Sequence, residues 1–198
     1  KQLIEGFREK PRPWGVLGSA WLEDLKFLDS SLDRLPGTLW IVPHRIDPKS
    51  LQPIQSFLSE KGIQYMLSSD IQGKSTSELP IQSNHILVNE MGFLSELYSV
   101  ADWAFIGGGF GSGVHSTIEP AIHGIPIGVG PKGTEKFSEI QELKNSDQLA
   151  IMRTPSQRDQ WVLSLSNLSP EKKTRWMNDA QLRLGATQKI LAAIENFI

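Results

Sequence analysis

Asp102-Trp103-Ala104-Phe105-Ile106-Gly107-Gly108-Gly109-Phe110-Gly111-Ser112-Gly113-Val114-His115-Ser116-Thr117-Ile118-Glu119-Pro120 carries a short apolar run into five glycines and on into the start of a helix. An apolar run of this length, closed by glycine, suits a strand buried on both faces, and the following helix start marks an α/β unit. The same alternation extends in both directions. Upstream, Trp14-Gly15-Val16-Leu17-Gly18, Thr38-Leu39-Trp40-Ile41-Val42-Pro43, Ile63-Gln64-Tyr65-Met66-Leu67 and His85-Ile86-Leu87-Val88 read as strands. Helical spacing separates them over Trp21–Leu32, Ser50–Lys61 (closed by Gly62) and Phe93–Val100, and Ser68–Ser83 reads as a polar surface loop. Downstream, a helix is expected over Ser116–His123, capped by Gly124, then a strand at Pro126-Ile127-Gly128-Val129 and another near Ala150-Ile151-Met152. Further helices are expected over Glu135–Lys144, Gln160–Leu168, Pro170–Leu184 and Ala186–Phe197. The alternation predicts an α/β fold, a Rossmann-like, doubly wound, mainly parallel sheet with helices on both faces. Its ligand crevice would lie at the carboxyl ends of the strands.

The 198 residues suffice for one medium α/β domain. Twenty Lys and Arg against 22 Asp and Glu leave a charge of −2, which argues against a nucleic-acid partner, since that needs a clustered cationic excess. The absence of cysteine excludes disulfides, thiolate metal sites and thiol nucleophiles. Six Trp and eight Phe supply large apolar surfaces and argue against disorder. No stretch approaches the roughly 18 apolar residues of a membrane span, and no signal peptide opens the sequence. Residues 1–13 begin without Met and pass through Arg8-Glu9-Lys10-Pro11-Arg12-Pro13, composed like a linker. The expectation is the end of an upstream segment over 1–13, followed by one domain over 14–198.

Bare amides in the glycine stretch, beside a helix start, favour an anion, because unpaired N–H groups and the helix dipole both attract negative charge. Ser116 or Thr117 would cap that helix or offer a hydroxyl to a phosphate. A tight turn with no ligand is the plain alternative. The stretch departs from the G-x-G-x-x-G dinucleotide fingerprint: Val114 fills the last glycine position, and the loop follows the fifth strand instead of the first. Phosphate or nucleotide recognition of another style is therefore expected. Glu119 has two readings, a first-turn carboxylate stabilised by the helix dipole or an acceptor for two ribose hydroxyls. His115 would donate to a phosphate, act as an acid, or serve only structure, whereas His123 complements the helix end. After the second strand, His44 and Arg45 stand at the crevice edge; Arg45 would grip a carboxylate or phosphate, or else pair with Asp47. Gly18-Ser19 would contact a ligand through backbone amides, and Met91-Gly92-Phe93 would do likewise, sandwich a base, or bury Met91 and Phe93 in the core. The four histidines lack metal-ligand spacing, so no metal or other cofactor is expected.

The run from Val88 to Phe110 resembles the donor domain of the 3-deoxy-D-manno-octulosonic acid (Kdo) transferases. Met91-Gly92 matches their Met-Gly-Glu-Leu-like turn, Tyr98 and Ala101-Asp102 their Tyr then Ala-Asp, and Phe105-Ile106-Gly107-Gly108 their Phe-Val-Gly-Gly strand end. Gly113-Val114-His115-Ser116-Thr117-Ile118-Glu119-Pro120 resembles the family's Gly-Gly-His-Asn-x-x-Glu-Pro element, with Val114 and Ser116 departing from it. Gly18-Ser19-Ala20-Trp21 stands where the family has Gly-Ser-Thr-His, and Pro43-His44-Arg45 reverses its Arg-His order. The likeness extends over about Trp14 to Leu143 and fades in the final helices.

The resemblance implies the C-terminal half of a GT-B glycosyltransferase with CMP-Kdo as donor and a lipid A precursor as acceptor, in lipopolysaccharide biosynthesis at the cytoplasmic face of the bacterial inner membrane. It implies that the acceptor site, membrane association and general base belong to an N-terminal half not included in this sequence, so that the fragment alone is soluble and inert. By position, Glu119 would hold the ribose. His115 and Ser116 would lie near the phosphate or sugar, with Gly108 and Gly109 in the same loop. Met91 and Gly92 would line the cytidine pocket, and Ser19 and Arg45 would lie near the donor's charged groups. A divergent GT-B transferase or epimerase using another nucleotide sugar, or a non-catalytic nucleotide-binding module, are the alternatives.

Overall fold

The computed structural model describes residues 12–71 and 85–183. Seven strands form one sheet in the order β3-β4-β2-β1-β5-β6-β7, every neighbouring pair parallel. They are β1 (Trp14–Ala20), β2 (Thr38–Pro43), β3 (Tyr65–Leu67), β4 (His85–Leu87), β5 (Trp103–Ile106), β6 (Ile127–Val129) and β7 (Leu149–Ile151). The helices are α1 (Leu22–Leu28), α2 (Pro48–Glu60), α3 (Leu94–Val100), α4 (Ile118–Ala121), α5 (Ser138–Asn145), α6 (Pro155–Leu165) and α7 (Pro170–Arg183). This is the doubly wound α/β architecture that the alternation of elements predicts.

Strand side chains alternate between two cores. Val16, Trp40, Ile86, Ala104 and Ile127 face one side, where Leu97 and Tyr98 of α3, Ala121 of α4 and Ile140 and Leu143 of α5 cover them. Leu17, Leu39, Ile41, Leu87, Trp103 and Phe105 face the other, under Leu25 and Leu28 of α1, Ile54, Phe57 and Leu58 of α2, and Trp161, Val162 and Leu165 of α6. Both faces are thus apolar, which is why these strands read as continuous hydrophobic runs. At β1, Gly15 lies under the Trp103 ring: a Cβ there would fall 1.8 Å from ring carbon Cζ2.

Several boundaries differ from the sequence reading. The helix expected over Ser116–His123 is a single turn, Ile118–Ala121, and the chain before it is tied to its neighbours instead, the Val114 amide donating to the Lys132 carbonyl and the His115 amide to the Gly107 carbonyl. The helix expected over Gln160–Leu168 starts at Pro155, where proline at its first position and the Thr154 hydroxyl, accepting from the Gln157 amide, begin it earlier. The helix over Trp21–Leu32 ends at Leu28 and tightens into a 3₁₀ turn, Asp29–Arg34. Glu135–Lys144 divides into a 3₁₀ turn, Thr134–Lys136, and α5. The segment expected as a surface loop from Ser68 opens with a 3₁₀ turn, Ser68–Asp70, and Ser68 itself is buried. The remainder of that loop and the helix expected over Ala186–Phe197 lie outside the described residues. Among the described residues no helix is long and apolar enough to cross a membrane.

Candidate functional site

β1 pairs with β2 on one side and β5 on the other, so successive connections leave it in opposite directions. That is a topological switch point, and the loops after β1 and β5 part there to open a crevice at the strands' carboxyl ends. Gly18, Ser19, His44 and Arg45 follow β1 and β2 at this end, Met91 and Gly92 follow β4, and the glycine loop follows β5. Ser19 takes a left-handed φ of 51°, uncommon for a residue with a side chain, at the irregularity where β1 pairing skips from Leu17 to Ala20.

The glycine loop is tied to its neighbours on both sides. The Gly107 amide donates to the Gly18 carbonyl at 2.8 Å and the Lys132 amide to the Gly109 carbonyl at 3.0 Å. The amides of Gly111 and Gly113 both donate to the Gly108 carbonyl, at 2.9 and 2.8 Å. The Gly108 amide donates to Asp24 Oδ2 at 2.8 Å. The expectation of a bare glycine cradle is therefore corrected for Gly108, whose amide is spent inside the protein. Close packing accounts for the first three glycines: a Cβ would meet the Ser19 carbonyl at 2.3 Å from Gly107, the Gly113 carbonyl at 2.1 Å from Gly108, and Gly130 backbone at 2.6 Å from Gly109. What stays open is farther along. Among the described residues the amides of Ser112, Ser116 and Thr117 have no protein acceptor. Ser116 and Glu119 are exposed. The one-turn helix has little macrodipole, and neither Ser116 nor Thr117 caps it. The Thr117 hydroxyl is buried without a partner among the described residues, so Ser116 carries the exposed hydroxyl of the two.

Asp24, fully buried at the start of α1, was not singled out from the sequence. Its Oδ2 accepts from the Trp21 amide at 2.9 Å as well as from Gly108, so one carboxylate joins the β1 and β5 loops. Burial raises its pKa from 3.8 to about 6, against the opposing pull of the Gly108, Trp21 and Phe110 amides. Asp24, at the third position of α1, closes back on the Trp21 amide, one half of a capping box whose other half the indole, which has no acceptor, does not supply.

Three rings close the space above this lock. His44 stacks on Trp21 with centroids 4.8 Å apart and on His115 at 4.3 Å. The Trp21 indole N–H donates to His115 Nε2 at 3.3 Å. Rings on opposite faces of His44 would stand two stacking distances apart, too far for that bond. Trp21 and His115 therefore lie edge to edge on one face of His44, bringing together the loops after β1, β2 and β5. Because Nε2 accepts, His115 is held as the neutral tautomer with its proton on Nδ1. Burial lowers the pKa of both imidazoles, Arg45 adding to the effect at His44 and His44 at His115.

Arg45 is exposed and does not pair with Asp47, whose carboxylate accepts from Ser50 at the start of α2. With Trp21, Glu23, Lys49 and Pro53, Arg45 lines a pocket of about 280 Å³ beside the stack. Met91 is 73% exposed, which removes the core reading, whereas Phe93 packs against the first core. Gly92, at φ 96°, faces open space. The turn that presents them is braced from below: Ser68 Oγ accepts from the Asn89 amide at 3.1 Å and donates to Asn89 Oδ1 at 2.8 Å. A groove of about 540 Å³ along edge strand β7, walled by Trp161 and Trp176, holds none of the predicted site residues.

No protein-family model matches the chain. The chain is 35% identical over 121 residues to the 3-deoxy-D-manno-octulosonic acid transferase of Chlamydophila psittaci, covering 59% of this chain and 26% of that protein. It is 27% identical over 182 residues to the transferase of the same name from Haemophilus influenzae, covering 88% of this chain and 40% of that one. The crystal structure of the C-terminal CMP-Kdo binding domain of WaaA from Acinetobacter baumannii is similar in fold, with a TM-score of 0.70 at 19% identity, over 91% of this chain and 94% of that one. Fold and crevice together define a doubly wound, Rossmann-like domain, similar in fold to that C-terminal CMP-Kdo binding domain. By sequence the chain is similar to Kdo transferases, and it spans 26% and 40% of the length of the two named.

Proposed function

We propose that residues 14–198 form the donor-binding domain of a Kdo-transferase-like glycosyltransferase, with 1–13 a linker to the rest of the enzyme. The donor is CMP-Kdo and the acceptor a lipid A precursor, met at the cytoplasmic face of the bacterial inner membrane. The observation that carries this reading is the 35% identity to a Kdo transferase in a chain whose open amides and exposed carboxylate gather at the switch point. Glu119 accepts the ribose hydroxyls, and Met91 and Gly92 border the cytosine. The donor's phosphate sits against the free amides of Ser112 and Ser116 and the Ser116 hydroxyl, beside His115. Arg45 and Ser19 face the sugar's carboxylate. Gly108 and Gly109 act by letting the backbone close up, with Gly108 bonded inward. The acceptor site, the general base and membrane association reside in the remainder of the protein.

Calorimetric titration of this chain with CMP, CDP, UDP and GDP tests the reading. CMP is expected to bind most tightly; a preference for UDP or GDP removes CMP-Kdo as the donor. In the full-length protein, transfer from CMP-Kdo to lipid A precursor is the expected activity.

A further inference from the structure

Of the four histidines in the chain, two stack against each other at the switch point. Among the described residues no carboxylate bonds to either ring; the one polar side-chain contact is the Trp21 indole N–H on His115 Nε2. His44 is exposed and His115 half-buried, and the empty pair is neutral because a proton on either ring would face its neighbour at 4.3 Å with no counter-charge bonded to it, and one on His115 Nε2 would also meet the Trp21 N–H. The charged surroundings reinforce this. Arg45 adjoins His44 in its own loop, and Lys49 from α2 lines the same pocket as Arg45 and Trp21. On α1, Asp24 is engaged by the Trp21 and Gly108 amides, and Glu23, which lines that pocket with the two cations, extends its carboxylate toward Gly111. Glu119 of α4 acts on Tyr98.

We propose that His44 and His115 together form a proton-accepting anion subsite: the pair is neutral when empty and takes up a proton when the donor's phosphate docks beside it. This rests on the donor-binding reading above and adds to it two residues, His44 and Trp21, and one proton. Docking the donor's phosphodiester, a monoanion, or the dianionic CMP that it leaves behind supplies the missing counter-charge, so the bound state favours an imidazolium. If His115 takes the proton at Nε2, the Trp21 N–H loses its acceptor and the edge-to-edge pair must separate. If His44 takes it, the cation lies over the indole face and that pair persists. Trp21 thus reads out which ring is charged.

The test is calorimetry of CMP binding at pH 7.5 in buffers of low and high ionisation enthalpy, where the phosphate of CMP is already mostly a dianion. Wild-type protein should show a heat that changes with the buffer in the sense of proton uptake. Its Kd should rise with pH, by up to tenfold per pH unit between the pKa of the empty pair and that of the occupied pair, and level off above the latter. In the His44→Phe, His115→Phe double variant the buffer dependence should vanish. Imidazole nitrogen NMR of the wild type gives the same answer with no variant: one ring passes from a single N–H to two on adding CMP. CMP binding with buffer-independent heat and unchanged imidazole signals would overturn the inference and leave the donor reading standing. No binding of CMP to the wild type would overturn both.

Discussion

Asp24 offers a direct test of how the crevice is held together. Replacing it with Asn keeps a carbonyl oxygen for the Trp21 and Gly108 amides and removes the charge. A carboxyl whose pKa is raised from 3.8 to about 6 favours its protonated form in the folded state. Its contribution to stability is therefore intact below about 3.8 and is lost as pH rises through about 6. The full difference corresponds to about 3 kcal/mol, of which about half is gone by pH 5. Asp24→Asn escapes this loss. Urea unfolding of both proteins from pH 5 to 8 should show the Asn variant gaining on the wild type by about 1.5 kcal/mol across that range. All other titrating groups are shared and cancel. Two stability curves separated by a constant would refute the claim that burial dominates at Asp24. Asp24→Ala is the harsher control: it strands two amides, at about 1–3 kcal/mol each, and should destabilise the protein at every pH.

Other positions separate ligand contact from architecture. Glu119→Ala should weaken CMP binding by about 1–3 kcal/mol while leaving the melting temperature in place, and unchanged affinity would make the carboxylate a mere helix-start charge. Gly109→Ala drives a methyl onto Gly130 backbone on both sides of a packed contact and should cost about 1–3 kcal/mol in denaturant unfolding; a neutral result would mean that the two loops separate easily. Ser19→Gly removes a side chain from a left-handed residue and should leave stability unchanged or raise it by up to about 1 kcal/mol, whereas a loss of that size would mean that the hydroxyl holds the bend.

The strands were legible because their side chains are apolar on both faces, a pattern that survives without knowledge of what covers each face. Pro155 and Thr154 carried an N-terminal signal as clear as any in the chain, yet apolar spacing alone, with Trp161 as its first strong residue, put that helix start five residues late. The glycine stretch was legible as a special turn, but not what its glycines face. Gly107, Gly108 and Gly109 are small because the protein's own backbone lies against them, a property of residues 19, 113 and 130 that no local reading contains. Trp21, His44 and His115 are separated by 23 and 71 positions, and only the strand order brings their loops together. Arg45 and Met91 were correctly set at strand ends, and their solvent exposure is settled by packing that spacing does not encode.

The Gly15–Trp103 contact constrains how this domain can diverge. The two are register partners on adjacent strands, and the indole occupies the volume in which any side chain at position 15 would stand. Descendants of this sequence can therefore alter one position only with the other: a residue larger than glycine at 15 calls for a much smaller one at 103, and the void left beneath Trp161 must then be refilled from α6. Covariation between 15 and 103 would mark lineages that have rebuilt this part of the interior, and a conserved Gly–Trp couple those that have not.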